Sequence, residues 1–180
     1  MPARASPGVP GIDSGNVMTH DPAEFLWGVA TSAYQAEGGY NGAGEPRTNW
    51  AAAEERGDVA RCGPAADFWN RYEEDFARCR AMGLNAFRLG IEWSRCHDFE
   101  PEVLDHYARI LQSCREHGLE PVVTLHHFVH PEHLGPDPWL RAETAEQFAA
   151  HVAELVARLN ERIETPLQWP RGGRRGRLAE

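Results

Sequence analysis

The sequence of 180 residues contains no lysine, so all 18 of its basic residues are arginine, and 27 acidic residues outnumber them. The resulting net charge of −9 argues against the basic surface by which proteins bind nucleic acids and anionic membranes. The sequence also lacks any apolar run close to the roughly 18 residues that a membrane-spanning helix needs. We therefore predict neither a nucleic-acid partner nor a membrane partner.

Cysteine is also scarce, and its four positions are far apart. Cys62, Cys79, Cys96 and Cys114 follow one another at intervals of 17 or 18 residues, whereas zinc and redox sites favour pairs separated by roughly two to four residues. Residues 1–20 contain neither the apolar run nor the cleavage pattern of a secretory signal. These absences predict free thiols, no metal, no cofactor and a cytoplasmic location.

Composition divides the chain into three zones. Residues 1–20 are rich in proline, glycine and serine without periodicity, which predicts a disordered N-terminal extension. Residues 21–165 carry all of the periodic apolar pattern and are the predicted folded domain. Residues 166–180 contain four arginines, three glycines and two prolines, and we interpret them as a divergent tail.

A unit of one helix and one strand occurs twice in the middle zone. The first copy is a helical apolar stripe over 66–82 that ends at Gly83, followed by a strand-like run over 85–91. The second copy begins 35 residues later and has the same parts: a helical stripe from 103 to 114, a terminating Gly118 and an apolar run over 121–125.

Two further segments complete this pattern. Residues 25–31 predict a first strand, and a stripe from 148 to 159 predicts a third helix that begins at a capping box formed by Thr144 and Gln147. Apolar strands that alternate with amphipathic helices are typical of an α/β fold with a parallel sheet. A parallel sheet of only three strands has two unpaired edges, so we expect the fold to be incomplete.

Polar side chains follow each predicted strand, and parallel α/β proteins bind their ligands at this end of the sheet. Gln35 follows the first strand, Glu92 the second and His127 the third. An amide, a carboxylate and an imidazole in one place suit a polyhydroxylated ligand such as a sugar. The alternatives are an ion pair of Glu92 with Arg88 or Arg95, a structural histidine and a solvated glutamine.

Aromatic residues lie close to the same strand ends. Trp27, Tyr34, Trp93 and Phe128 are candidates for stacking on a sugar ring. Aromatic residues at such positions belong more often to the core, and both interpretations stay open.

Three blocks of the sequence resemble glycoside hydrolase family 1, the β-glucosidase family. Residues 25–38 (FLWGVATSAYQAEG) resemble its N-terminal signature. Residues 70–75 (NRYEED) and 82–95 (MGLNAFRLGIEWSR) resemble its second βα unit, and residues 121–128 (PVVTLHHF) its third strand. The resemblance runs from about residue 24 to residue 165.

This resemblance implies a partial TIM (β/α)₈ barrel with about the first three βα units of a retaining β-glycosidase. It implies that Gln35 and His127 bind sugar hydroxyls and that Arg88 lies against the nucleophilic carboxylate. Glu92, Trp93 and Phe128 are the other candidate substrate-binding residues, and Phe128 stands where many members have tryptophan. The implied partner is a small β-glycoside or sugar.

The catalytic carboxylates of the family have no counterpart in the sequence. A retaining glycosidase needs two carboxylates about 5–5.5 Å apart, and in this family the acid/base belongs to an Asn-Glu-Pro motif after the fourth strand. The sequence contains no Asn-Glu-Pro, and its resemblance to the family ends near residue 165. We therefore expect a truncated glycosidase, with both catalytic glutamates missing and no turnover by the isolated chain.

Two other functions are compatible with the sequence. A non-catalytic sugar-binding fragment would keep the binding residues without the catalytic ones. A metal-binding protein would use the histidines between His126 and His133, although Pro131 and Gly135 break any helix that could align them. The sugar, its aglycone and the oligomeric state are not determined by these patterns.

Overall fold

The computed structural model describes residues 25–40, 42, 44–164 and 166–167. The predicted extension over 1–20 and the tail beyond residue 167 lie outside these residues. The described chain forms three strands, five α-helices and two short 3₁₀ turns. In chain order they are β1 (Gly28–Ala30), α1 (Ala33–Glu37), α2 (Asn49–Arg56), α3 (Phe68–Ala81), β2 (Ala86–Gly90), α4 (Pro101–Glu116), β3 (Glu120–Thr124), the 3₁₀ turns Glu132–Leu134 and Pro138–Leu140, and α5 (Ala142–Asn160).

The three strands form one parallel sheet in the order β1-β2-β3. Gly28 lies beside Ala86, and Ala86 lies beside Glu120. The Asn85 side chain holds the start of β1 in this register: its Oδ1 accepts from the Trp27 N–H at 2.7 Å, and its Nδ2 donates to the Phe25 carbonyl at 3.1 Å. The predicted α/β class and parallel pairing are confirmed.

The main core lies between the sheet and helices α3, α4 and α5. The predicted apolar stripes supply it, since the side chains of Phe76, Tyr107, Ile110 and Leu159 are all fully buried there. Gly83 and Gly118 follow α3 and α4 with φ angles of 79° and 72°. Glycine adopts this left-handed conformation without steric penalty, which is why both helices end there.

The structure differs from the prediction in the loop after β1 and at the start of α5. The loop contains the two short helices α1 and α2, and the Thr48 side chain caps α2 by accepting from the Ala51 N–H at 2.9 Å. The capping box predicted at Thr144 is wrong. Helix α5 begins at Ala142, directly after the turn Pro138–Leu140, so Thr144 lies buried inside its first turn.

Both outer edges of the sheet expose apolar side chains. Val29 is exposed on β1, Phe25 and Trp27 are exposed just before it, and Val122 is exposed on β3. Neither edge is paired with a further strand among the described residues. All four cysteines are free, as predicted. No helix in the described ranges is long and apolar enough to cross a membrane.

Candidate functional site

A cavity of about 300 Å³ lies at the carboxyl end of the sheet, where the sequence predicts a site. Gln35, Arg88 and His127 all line it, together with Ala30, Thr31, Ser32 and Ala36. Gln35 belongs to the helix after β1, Arg88 to β2, and His127 to the segment after β3. Each of the three strands, or the segment that follows it, therefore contributes one polar side chain to the same cavity.

Close packing of α1 against β2 brings Gln35 to this place. Gly90 ends β2, and a Cβ atom there would lie 2.7 Å from the Ala33 nitrogen and 3.0 Å from the Ala33 Cβ. The Thr31 N–H and hydroxyl both donate to the Arg88 carbonyl, at 2.8 and 3.1 Å. The chain therefore turns from β1 into α1 directly over the end of β2.

The amide of Gln35 is oriented by a neighbour on the same turn. The hydroxyl of Ser32, which is buried, donates to Gln35 Oε1 at 2.7 Å. The Gln35 side chain itself is exposed at the cavity. Its oxygen keeps a second lone pair after accepting this bond, so the amide can offer a ligand both an acceptor and the hydrogens of its NH₂ group.

The guanidinium of Arg88 is held by β3. Its Nε donates to Thr124 Oγ1 at 2.7 Å, and its Nη2 lies 3.4 Å from His127 Nδ1. A guanidinium can only donate hydrogen bonds, so this contact places the acceptor nitrogen of His127 at Nδ1 and its proton at Nε2. The cavity thus contains one fixed positive charge and an imidazole N–H.

A buried polar cluster, two of whose members line a second cavity of about 450 Å³, was not predicted. The Glu37 carboxylate accepts from the hydroxyls of Tyr40 and Tyr107, the latter at 2.8 Å, and pairs with Arg95 Nε at 3.1 Å. Burial raises the pKa of Glu37, while Arg95 and the two tyrosines oppose that shift. Glu37 and Arg95 both lie inside the blocks that resemble the family, but nothing in their spacing identifies them as a pair.

Glu92 lies beside the same cluster, and its backbone N–H donates to the Tyr107 hydroxyl oxygen at 3.1 Å. Its carboxyl group is buried, and Oε1 has no hydrogen-bond partner among the described residues. Burial, reinforced by the charge of Glu37, raises the pKa of Glu92 from 4.5 to about 8. Arg95 forms its ion pairs with Glu37 and Glu45, so the alternative pairing of Glu92 with Arg95 does not form.

The four aromatic candidates fall into two groups: Trp27 is exposed and Phe128 is half-buried, whereas the other two are not accessible. Tyr34 and Trp93 are buried, and Trp93 packs in a cluster with His126, Trp139, Phe148 and His151. Phe128 packs edge-on against Trp50 with ring centroids 4.9 Å apart.

Three of the six predicted site residues therefore meet at the cavity. Glu92, Trp93 and Phe128 are not among the residues that line it. The roles given to all six residues stay predictions.

The histidines between His126 and His133 have different neighbours. His126 lies against Trp139, His130 Nε2 contacts the Gly135 carbonyl at 3.2 Å, and His133 packs against His97. In the part of the chain that the structure describes, no group of three or more histidine, cysteine or acidic side chains is placed to hold a metal ion.

Comparison with known proteins gives consistent results. The model of the family described as "Glycosyl hydrolase family 1" matches residues 18–169. A 6-phospho-beta-galactosidase of Staphylococcus aureus is 37% identical over 133 residues, which cover 71% of this chain and 28% of the relative. The chain thus spans little more than a quarter of the length of the curated relatives it matches.

Solved structures agree with the sequence relatives. The family 1 β-glucosidase from Thermotoga maritima superposes with a TM-score of 0.68 at 31% identity, covering 79% of this chain and 34% of that one. The β-glycosidase BGL167 superposes with a TM-score of 0.66 at 37% identity, covering 77% of this chain and 34% of that one. The three-stranded parallel sheet is consistent with part of the α/β barrel of these proteins.

Proposed function

The chain belongs to glycosyl hydrolase family 1, and on this premise we propose that it supplies the sugar-binding portion of a β-glycosidase barrel. The observation that carries the proposal is the convergence of Gln35, Arg88 and His127 on one cavity. A cavity of about 300 Å³ lies at the lower end of the size range of small-molecule sites. The domain boundaries of 21–165 and a cytoplasmic location belong to the same proposal.

Each of the three side chains has a distinct role in this function. The NH₂ group of Gln35 and the Nε2–H of His127 donate to hydroxyls of the bound sugar. Arg88 holds a nucleophilic carboxylate in its ionised form, because a neighbouring positive charge lowers the pKa of a carboxyl group. In a double displacement that carboxylate attacks the anomeric carbon, and a second carboxyl group protonates the leaving oxygen.

The cavity by itself does not contain the groups for this reaction. None of the residues that line it is an aspartate or a glutamate, and the reaction needs two carboxylates roughly 5–5.5 Å apart. Glu92 is buried beside Glu37 and is not a lining residue. We therefore propose that this chain binds a sugar without cleaving a glycosidic bond.

Turnover is tested with chromogenic aryl substrates. The curated relatives are named 6-phospho-beta-galactosidases, so aryl β-glucoside, aryl β-galactoside and the 6-phosphorylated aryl β-galactoside are all incubated with the 180-residue chain. We expect no release of the chromophore above the rate without protein. Saturable release from any of the three would contradict the inactivity of the chain.

Binding is tested by saturation-transfer NMR with glucose and galactose. We expect Gln35→Ala and His127→Ala to weaken the transfer signal at least fivefold. The matched controls are Gln112→Ala and His97→Ala, which change exposed residues of the same types that do not line the cavity. Equal signals from the site variants and their controls would place the sugar elsewhere.

A further inference from the structure

His127 reaches the cavity from a segment without regular secondary structure. Strand β3 ends at Thr124, and residues 125–130 belong to no helix or strand. Parallel pairing fixes the course of β3, but its hydrogen bonds do not extend to the residues that follow. The position of His127 therefore depends on contacts that this segment makes outside the sheet.

Helix α2 supplies these contacts through Asn49, its first residue. The Asn49 N–H donates to the His130 carbonyl at 3.1 Å, and the His130 N–H donates to Asn49 Oδ1 at 3.0 Å. Both backbone groups of His130 are thus bound by one residue. Thr48 and Pro131 form an antiparallel bridge directly beside this pair.

A third contact extends the pairing by one residue. The Glu132 N–H donates to the Arg47 carbonyl at 3.1 Å, so residues 47–49 and 130–132 form a clasp between the loops that follow β1 and β3. The Arg47 guanidinium also pairs with Glu132 at 2.8 Å, but this ion pair lies at the surface and contributes little to stability. The half-buried Asn49 side chain is therefore the main side-chain contact of the clasp.

Helix α2 is tied at the same time to the helix that carries Gln35. The hydroxyl of Tyr34, the neighbour of Gln35 in α1, donates to Glu54 Oε1 of α2 at 2.9 Å. Val129 packs with Tyr34 and with Ala51 of α2 in one buried cluster. Helix α2 thus connects the two sides of the cavity independently of the sheet.

We propose that Asn49 is a positioning residue for sugar recognition. Its two bonds to His130 hold the segment after β3 on α2 and keep His127 in the same cavity as Gln35. Asn49 does not line this cavity, so its effect on the sugar passes through His127. The role rests on the proposed function, because the ligand that His127 meets is the sugar proposed there.

The first test is a titration of the 180-residue chain with glucose, followed by saturation-transfer NMR. Asn49→Ala removes the bond to the His130 N–H, and we expect glucose to bind roughly five- to tenfold more weakly, the effect of one lost hydrogen bond. Asn49→Asp keeps an acceptor oxygen in the same place and should restore binding. Unchanged binding by Asn49→Ala, or no restoration by Asn49→Asp, would overturn the role of Asn49.

Asn160→Ala is the matched control. Asn160 is also half-buried, and its Oδ1 accepts from the Leu167 N–H at 2.8 Å. Both alanine variants therefore lose one bond between a backbone N–H and an asparagine oxygen, and we expect similar losses of stability in urea. Only Asn49→Ala should bind glucose more weakly. Equal losses of affinity would show an effect of stability alone and would contradict positioning.

The imidazole of His127 gives a second readout that needs no bound sugar. Long-range ¹H–¹⁵N spectra distinguish the two ring nitrogens, and His127→Ala identifies their signals. In Asn49→Ala we expect the signals of Nδ1 and Nε2 to become averaged, because the ring leaves its contact with Arg88. Unchanged ring signals would overturn the positioning role. If these signals change but glucose does not bind to the unmodified chain, the proposed function fails and the positioning of His127 stands.

Hydrogen exchange of the unmodified chain decides the case in which Asn49→Ala does not fold. A contact that raises the affinity for a ligand is itself strengthened by that ligand to the same degree. Saturating glucose should therefore slow exchange of the His130 N–H by roughly five- to tenfold and leave the Leu167 N–H unchanged. An equal rate of His130 exchange with and without bound glucose would overturn the role of Asn49.

Discussion

At the scale of single residues, the interior holds two carboxyl groups in one cluster. Glu37 accepts hydrogen bonds from Tyr40 and Tyr107 and pairs with Arg95, whereas Glu92 Oε1 has no partner among the described residues. Two buried carboxylates side by side repel each other, so one of them retains its proton. Glu92 is that residue, because burial and the charge of Glu37 raise its pKa to about 8.

This shifted pKa makes stability depend on pH. Between about 4.5 and about 8, Glu92 binds more protons in the folded than in the unfolded chain, so its contribution to the free energy of unfolding is full below this window and declines as the pH rises through it. The glutamine side chain of Glu92→Gln is neutral at every pH, so the free energy of unfolding of this variant does not decline in this way. We expect its melting temperature to exceed that of the unmodified protein by several degrees at pH 8–9 and to equal it near pH 5.

The measurement is thermal unfolding by circular dichroism at intervals of one pH unit. Glu146→Gln, an exposed substitution of the same kind on α5, is the control and should leave the profile unchanged. If the melting temperatures of Glu92→Gln and the unmodified protein differ by the same amount at every pH, Glu92 does not titrate in this window.

At the scale of elements, the site depends on how closely α1 approaches the end of β2. Gly90 has no side chain there, and any Cβ atom would lie 2.7 Å from a backbone nitrogen of α1. Helix α1 carries Gln35, and β2 carries Arg88. The separation of these two elements therefore sets the width of the cavity.

Gly90→Ala is expected to destabilise the protein and to weaken ligand binding. Overpacking of this kind costs roughly 1–3 kcal/mol, and displacement of α1 moves Gln35 away from Arg88. Gly57→Ala is the control: a Cβ there meets nothing within 4 Å, but Gly57 has a φ of 79°, so a strain of about 1 kcal/mol is expected. Urea denaturation measures the stability, and the saturation-transfer signal of glucose measures the binding.

Of the two variants, only Gly90→Ala should lower the affinity of the protein for the sugar. If the two variants lose affinity to the same degree, the contact between α1 and β2 does not determine the shape of the cavity.

At the scale of the whole molecule, the sheet has apolar edges that the described residues do not cover. Trp27 is 65% exposed beside β1, and Val29 and Val122 are exposed on the two edge strands. Strand edges that expose backbone groups and apolar side chains favour pairing between chains. We therefore expect the chain to self-associate at concentrations on the order of tens of micromolar.

The double substitution Val29→Lys and Val122→Lys should shift this equilibrium towards the monomer, because charged side chains on edge strands oppose pairing. Analytical ultracentrifugation over a range of concentrations measures the shift. Met82→Lys is the control, since Met82 is 70% exposed and lies after α3, outside the sheet. A monomer at all concentrations, or an equal shift from Met82→Lys, would contradict association through the edges.

The sequence alone determined the order of the main elements and the location of the cavity. Apolar periodicity, Gly83 and Gly118 are local signals, and they placed α3, α4 and all three strands. The parallel arrangement then followed from the alternation of helices and strands. Since parallel strands end at one edge of a sheet, the meeting of Gln35 and His127 was predictable as well.

Tertiary structure alone decided how each side chain is used. Glu37 and Arg95 pair across the fold, Trp93 enters an aromatic cluster, and α5 begins before the capping box that Thr144 predicts. These outcomes depend on the burial and contacts of residues that are distant in the chain, and such contacts leave no periodic trace in the sequence.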